Sequence, residues 1–205
     1  MEIVVGKTAG FCGGVKNAVI KTEKALENKQ EIYCLGELVH NEEIIKKLEE
    51  KGLKIIEDIT QAKNESTVII RAHGEPPETY EKAKQKNISI LDLTCPKVIS
   101  IHKKAEEYKE NGFAVLYLAE GKHPEAIGTI GYLKEAGFLI QSEDEVENVV
   151  KNALEQKKNK FAVLAQTTFS MEKFDKIVEK ISKILPQNAQ IEINKTICNA
   201  SKIRQ

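Results

Sequence analysis

The chain has 205 residues, with 31 lysines and arginines balanced by 31 aspartates and glutamates. That neutrality removes the electrostatic grounds for a nucleic-acid or anionic-membrane partner, both of which select clustered positive charge. No stretch approaches the roughly 20 apolar residues that cross a bilayer, and the apolar start over residues 1–6 is too short for a secretory signal.

The expectation is a cytoplasmic protein acting on a small molecule. Its four cysteines, far apart and in a reducing compartment, are metal ligands, catalysts or buried thiols before they are disulfides.

Short β-rich runs alternate with longer amphipathic runs from end to end, the pattern of βαβ units and a mainly parallel sheet, so the fold class is α/β. A strand is predicted over residues 3–6, then the run A-G-F-C-G-G-V around Cys12 and a helix over 15–28. Strands over 31–35 and 53–56 bracket a helix over 41–51, in which Glu42 pairs with Lys46 and Glu43 with Lys47 at i,i+4. Strands over 67–72 and 88–93 follow. Pro96 suits the first turn of a helix over 96–111, with Val98, Ile101, Ala105 and Tyr108 on one stripe and Gly112 at its stop. Strands over 113–118, 138–140, 160–165 and 190–193 then alternate with helices over 124–136, 143–156 and 171–185, the last stopped by Pro186.

Cys12, His73, Cys95, His123, Thr167 and Cys198 share one address: each falls a few residues after a predicted strand. That carboxyl edge is where open α/β sheets bind ligands.

The glycines around Cys12 let the backbone turn sharply and approach a ligand, and a following helix N-terminus favours thiolate. A phosphate loop is the rival reading, but no G-x-G-x-x-G and no G-K-[ST] is present. Cys95 in D-L-T-C-P and Cys198 in T-I-C-N-A have the same setting, with a buried structural thiol as the competing reading. Cys34, in I-Y-C-L, reads as core. Three separated cysteines suit neither a structural zinc site nor a C-x-x-C dithiol. A cluster bridging three loops fits better; if it is a four-iron cluster, three thiolates leave one iron without a protein ligand, open as a Lewis acid.

His40, His73 and His123 sit in predicted turns, whereas His102 lies in a helix beside its apolar stripe. They are either solvated or gathered on a small anionic ligand such as a diphosphate, with Thr167 and Thr168 adding hydroxyl donors. Glu125 is either ordinary N-terminal helix charge or a proton donor, and its position alone does not decide.

Taken together, G-F-C-G-G-V at Cys12, L-V-H-N at His40, R-A-H-G at His73, D-L-T-C-P at Cys95, G-K-H-P-E at His123, A-Q-T-T at Thr167 and T-I-C-N-A at Cys198 resemble the 4-hydroxy-3-methylbut-2-enyl diphosphate reductase family. The motifs stand in family order from residue 1 to residue 205. The resemblance implies the last step of non-mevalonate isoprenoid biosynthesis, in which the substrate loses its allylic hydroxyl to give isopentenyl and dimethylallyl diphosphates.

By the same match, Cys12, Cys95 and Cys198 hold a 4Fe-4S cluster whose open iron takes the substrate's hydroxyl oxygen. His40, His73 and His123 bind the diphosphate or line the pocket, Thr167 contacts substrate near the departing hydroxyl, and Glu125 is the catalytic proton donor. Electrons come from a carrier such as a ferredoxin or flavodoxin.

The implied fold is a set of pseudo-symmetric α/β units around a central cluster. Residues 1–95 form the first unit, with residues 1–12 pairing with the third, and residues 96–194 form the second. Residues 195–205 begin a third, C-terminally truncated unit that lacks the family's Ser-x-Asn segment. The alternative class is a truncated, non-catalytic iron-sulfur module for iron sensing or electron carrying, which needs the cysteines but neither Glu125 nor the histidines.

Overall fold

The computed structural model describes residues 4, 10–28 and 31–203. They fall into two compact units, one built from Met1–Ala72 with Ala83–Cys95 and the other from His73–Lys82 with Pro96–Gln205.

The first unit carries helix α1 (Gly13–Leu26), strand β1 (Ile32–Leu35), helix α2 (Glu42–Glu50) and strands β2 (Leu53–Ile56), β3 (Thr67–Ile70) and β4 (Ser89–Asp92). Its sheet is wholly parallel in the order β2-β1-β3-β4. β1 is buried along its whole length, as its uninterrupted Ile-Tyr-Cys-Leu run requires of a central parallel strand. Ile32 and Cys34 pack there with Ala18 and Leu26 of α1 and Ile45 and Leu48 of α2. Helix α3 (Pro77–Gln85) is hidden from the hydrophobic pattern, because Ala83 is its one buried residue and its flanking H-G-E-P-P run reads as loop.

The second unit repeats the plan. It holds α4 (Pro96–Glu110), β5 (Ala114–Leu118), α5 (Pro124–Leu133), β6 (Gly137–Ile140), α6 (Val146–Glu155), β7 (Lys160–Ala165), α7 (Met171–Ile184), β8 (Gln190–Ile193) and the short α8 (Asn199–Lys202). Its parallel order is β6-β5-β7-β8.

Alternation along β5 splits the core between the two sheet faces. Ala114, Leu116 and Leu118 face α6 and α7 through Val150, Phe174 and Ile177. Val115 and Tyr117 face α4 and α5 through Ile101, Ala105, Ala126 and Leu133.

Eight of the nine expected strands are present, and the one over residues 3–6 lies outside the described residues apart from Val4. The helix expected over 124–136 ends at Leu133, where Lys134 takes a φ of 52° and a 3-10 turn over Lys134–Ala136 follows. The helix expected over 143–156 opens as a 3-10 turn, Glu143–Glu145. No helix among the described residues is long and apolar enough to cross a membrane.

Leu116 is fully buried at the centre of β5 while Ile193 of the edge strand β8 is 47% exposed. Leu116→Ala is expected to lower unfolding free energy by about 2–5 kcal/mol. Ile193→Ala should change it by less than about 0.5 kcal/mol in the same urea titration.

Candidate functional site

In the second unit, the turns leaving β5 and β7 converge on Glu125. His123 is the N-cap of α5 and Pro124 opens its first turn. The backbone N–H of Glu125 donates to His123 Nδ1 at 3.1 Å. An accepting Nδ1 carries no hydrogen, so the imidazole proton sits on Nε2.

The Glu125 side chain turns inward and is 1% exposed. Its carboxylate accepts from the backbone N–H of Thr167 at 2.7 Å and from the Thr167 hydroxyl at 2.6 Å. Burial pushes the Glu125 carboxyl above its ordinary value, and the two Thr167 hydrogen bonds oppose that rise without cancelling it. Behind it, burial also pushes the Tyr117 phenol up, and the nearby Glu125 charge adds to the shift. Glu125 is therefore a carboxyl suited to holding a proton, held by a group that can exchange one.

Thr167 also reaches a cysteine. Its carbonyl accepts from the backbone N–H of Cys198 at 2.9 Å. Just before Cys198, the Thr196 hydroxyl accepts from the Ala165 backbone N–H at 2.8 Å, fastening the chain to the end of β7. Cys198 is the N-cap of α8, and its Sγ accepts from the Ser201 backbone N–H at 3.4 Å.

His73 belongs to this unit too. Its ring meets that of His123 edge to face, with centroids 5.2 Å apart and planes at 84°. A glycine of α5 makes room for the segment that carries His73. A Cβ on Gly131 would stand 2.3 Å from Pro76 Cβ and 3.2 Å from Pro76 Cα, whereas one on Gly128 would make only ordinary contact, 3.5 Å from the Gly74 carbonyl. The sequence signal for this seat is the G-T-I-G pair inside a helix, where glycine otherwise costs helix stability and so marks a close approach.

In the first unit, Cys12 is the N-cap of α1 and makes no side-chain capping bond. A Cβ on Gly14 would lie 2.9 Å from Cys95 Sγ, so the bare glycine leaves room for that sulfur. Cys95 stands directly before Pro96, and its N–H donates to the Ala72 carbonyl at 3.0 Å. His40 is exposed, next to Asn41, the N-cap of α2. Cys34 is 0% exposed within β1.

Cys12, Cys95 and Cys198 differ from Cys34 in being half-buried rather than sealed in the core. Each directly precedes a helix. Half-buried thiols are soft donors of the kind that iron-sulfur groups take.

A sequence model described as LytB protein matches residues 3–205. The chain belongs to the LytB family. A relative from Clostridioides difficile, named 4-hydroxy-3-methylbut-2-enyl diphosphate reductase, is 38% identical over 206 residues, covering 100% of this chain and 71% of the relative. A solved LytB-like structure, described as (E)-4-hydroxy-3-methyl-but-2-enyl diphosphate reductase, the terminal enzyme of the non-mevalonate pathway, superposes with a TM-score of 0.83 at 32% identity. That match covers 99% of this chain and 70% of the other. The Plasmodium falciparum E-1-hydroxy-2-methyl-but-2-enyl-4-diphosphate reductase gives a TM-score of 0.84 at 30% identity, over 95% of this chain and 60% of its own. The LytB relatives are enzymes, and they share this α/β fold.

Two outcomes follow from the geometry. Because folding raises the affinity of Glu125 for a proton, its contribution to stability is fully present below about pH 4.5 and is lost as pH rises through the elevated folded value. Glu125→Gln is therefore expected to be more stable than the parent at pH 7, with the advantage vanishing below pH 4.5, in urea titrations across that range. Gly131→Ala should destabilise the protein by about 1–3 kcal/mol through overpacking against Pro76. It should also remove the His73–His123 ring contact from nuclear Overhauser spectra.

Proposed function

We propose that the chain catalyses the reductive dehydroxylation of 4-hydroxy-3-methylbut-2-enyl diphosphate to isopentenyl and dimethylallyl diphosphates, the last step of non-mevalonate isoprenoid biosynthesis. The observation that carries this reading is the buried Glu125 carboxyl, gripped by the backbone and hydroxyl of Thr167, whose carbonyl is one hydrogen bond away from the Cys198 backbone.

Cys12, Cys95 and Cys198 are the residues that would hold a 4Fe-4S cluster. When bound, such a cluster supplies electrons one at a time and, with three protein thiolates for four irons, a Lewis-acidic position.

The reaction consumes two electrons and two protons, breaks the allylic C–O bond and releases water. Glu125 holds one of those protons in a site that water does not reach. Once the carboxyl is protonated, the 2.6 Å contact reverses: the carboxyl O–H donates to Thr167 Oγ1 and the hydroxyl's own hydrogen turns to the substrate oxygen, so that a proton leaving the carboxyl reaches the substrate through Thr167. Protonation there makes water the leaving group. The other proton goes to carbon, with the substrate diphosphate as its source.

His40, His73 and His123 bind the diphosphate. For His123 the donor is Nε2–H, since Nδ1 is committed to the Glu125 backbone. A buried acid coupled to a hydroxyl has no use in a module that only carries electrons or senses iron, which favours the enzyme over that alternative.

We further read residues 1–95 and 96–194 as the first and second repeats and residues 195–205 as the start of a third. The reductant is a ferredoxin or flavodoxin and the compartment is the cytoplasm.

Anaerobically reconstituted protein should show a 4Fe-4S signal in electron paramagnetic resonance that changes on adding substrate, and should turn over with a chemical reductant. Glu125→Gln should lower kcat by about 100-fold or more with cluster content unchanged, the range expected for loss of a general acid. Undiminished turnover in Glu125→Gln would remove its assigned role, and failure of all three cysteines to take up a cluster would remove the reductase reading.

A further inference from the structure

Beside Thr167, inside the A-Q-T-T run, lies a buried amide to which neither the sequence reading nor the proposed chemistry gives a role. Gln166 is 1% exposed and directly follows β7. Its Oε1 accepts from the backbone N–H of Glu120 at 3.0 Å, and its Nε2 donates to Thr168 Oγ1 at 2.8 Å. The orientation is dictated by the partners, because a backbone N–H can only donate and must face the amide oxygen.

Glu120 is the second residue after β5, and its carbonyl accepts from the His123 N–H at 2.9 Å, closing the turn that presents the N-cap of α5. His123 in turn accepts from the Glu125 N–H, and the Glu125 carboxylate accepts from Thr167, the peptide neighbour of Gln166. These bonds form a closed ring from Gln166 through Glu120, His123, Glu125 and Thr167 back to Gln166. Its other amide group fixes Thr168 on the far side of Thr167.

We propose that Gln166 is a positioning residue, whose amide ties the exits of β5 and β7 together so that the Glu125 carboxyl and the Thr167 hydroxyl stay within proton-transfer distance. The role rests on the reading of Glu125 and Thr167 as the proton-donating pair. A merely structural glutamine would stabilise the whole unit evenly. A positioning glutamine acts on the ring and leaves the sheet below it unchanged.

The distinguishing experiment is site-resolved amide hydrogen exchange on the full chain, alongside steady-state kinetics of the cluster-loaded protein. Gln166→Met keeps the side chain's size and removes both hydrogen bonds. It should lower protection of the Thr167 and Glu125 amides by about tenfold or more while the amides of β5 and β7 keep theirs. Its kcat should fall by about 10–100-fold with KM changed less than about threefold, as misplacement of a reacting group predicts.

Thr168→Val, which cuts one arm of the clamp, should show the same local pattern more weakly. Thr168→Ser, which keeps the hydroxyl, should restore the parental exchange. This pair carries the test if Gln166→Met does not fold. Unchanged protection at Thr167, or an equal loss across both strands, overturns the proposal. A parent protein that exchanges as expected yet never turns over sinks the reductase reading and leaves the clamp standing.

Discussion

Taking a carboxylate out of water is among the more expensive things a fold can do, and the loss is tolerable only where hydrogen bonds replace hydration. Glu125 is placed at that margin. Two donors from Thr167 recover part of the lost solvation, and burial still holds the affinity for a proton above its ordinary value. Both donors come from a turn whose position is set by β7, while the acid itself stands in the first turn of α5, whose position is set by β5. The register between those two adjacent strands therefore governs the distance between acid and hydroxyl. Leu118 paired with Ala165 is the last step of that register before both chains leave the sheet.

The sheet order explains why the two exits meet. In the order β6-β5-β7-β8 the chain leaves β5 toward one side to make β6 and crosses back to place β7 on the other. The crevice where consecutive connections diverge is where open parallel sheets leave room for ligands. The first unit repeats the order as β2-β1-β3-β4, with Cys95 following its last strand as Cys198 follows β8. One supersecondary plan thus puts a thiol in the same topological place twice.

The sequence disclosed the fold because buried parallel strands are short apolar runs with little ambiguity. Ala114–Leu118 and Lys160–Ala165 are such runs, and their ends could be read within a residue or so. The residue types of the site were legible too, since cysteines, histidines and threonines recur in the turns that follow strands. What could not be read was the direction of Glu125: a carboxylate at a helix start is usually solvated, and its burial depends on a turn 42 residues away. Helix α3 was hidden for the opposite reason, a nearly uniform polar surface that leaves no stripe to detect. Gln166 was invisible because its two partners are a backbone N–H and a hydroxyl, neither of which has a sequence signature.

The seat that Gly131 offers to Pro76 belongs to a second unit that is discontinuous along the chain. Its surface is completed by a strip synthesised before its first helix, with Ala83–Cys95 of the other unit in between. As the chain emerges, that strip must wait for α5, more than 40 residues later, before it has a surface to rest on. The histidine it carries is therefore set in place only once α5 exists, well after its own synthesis.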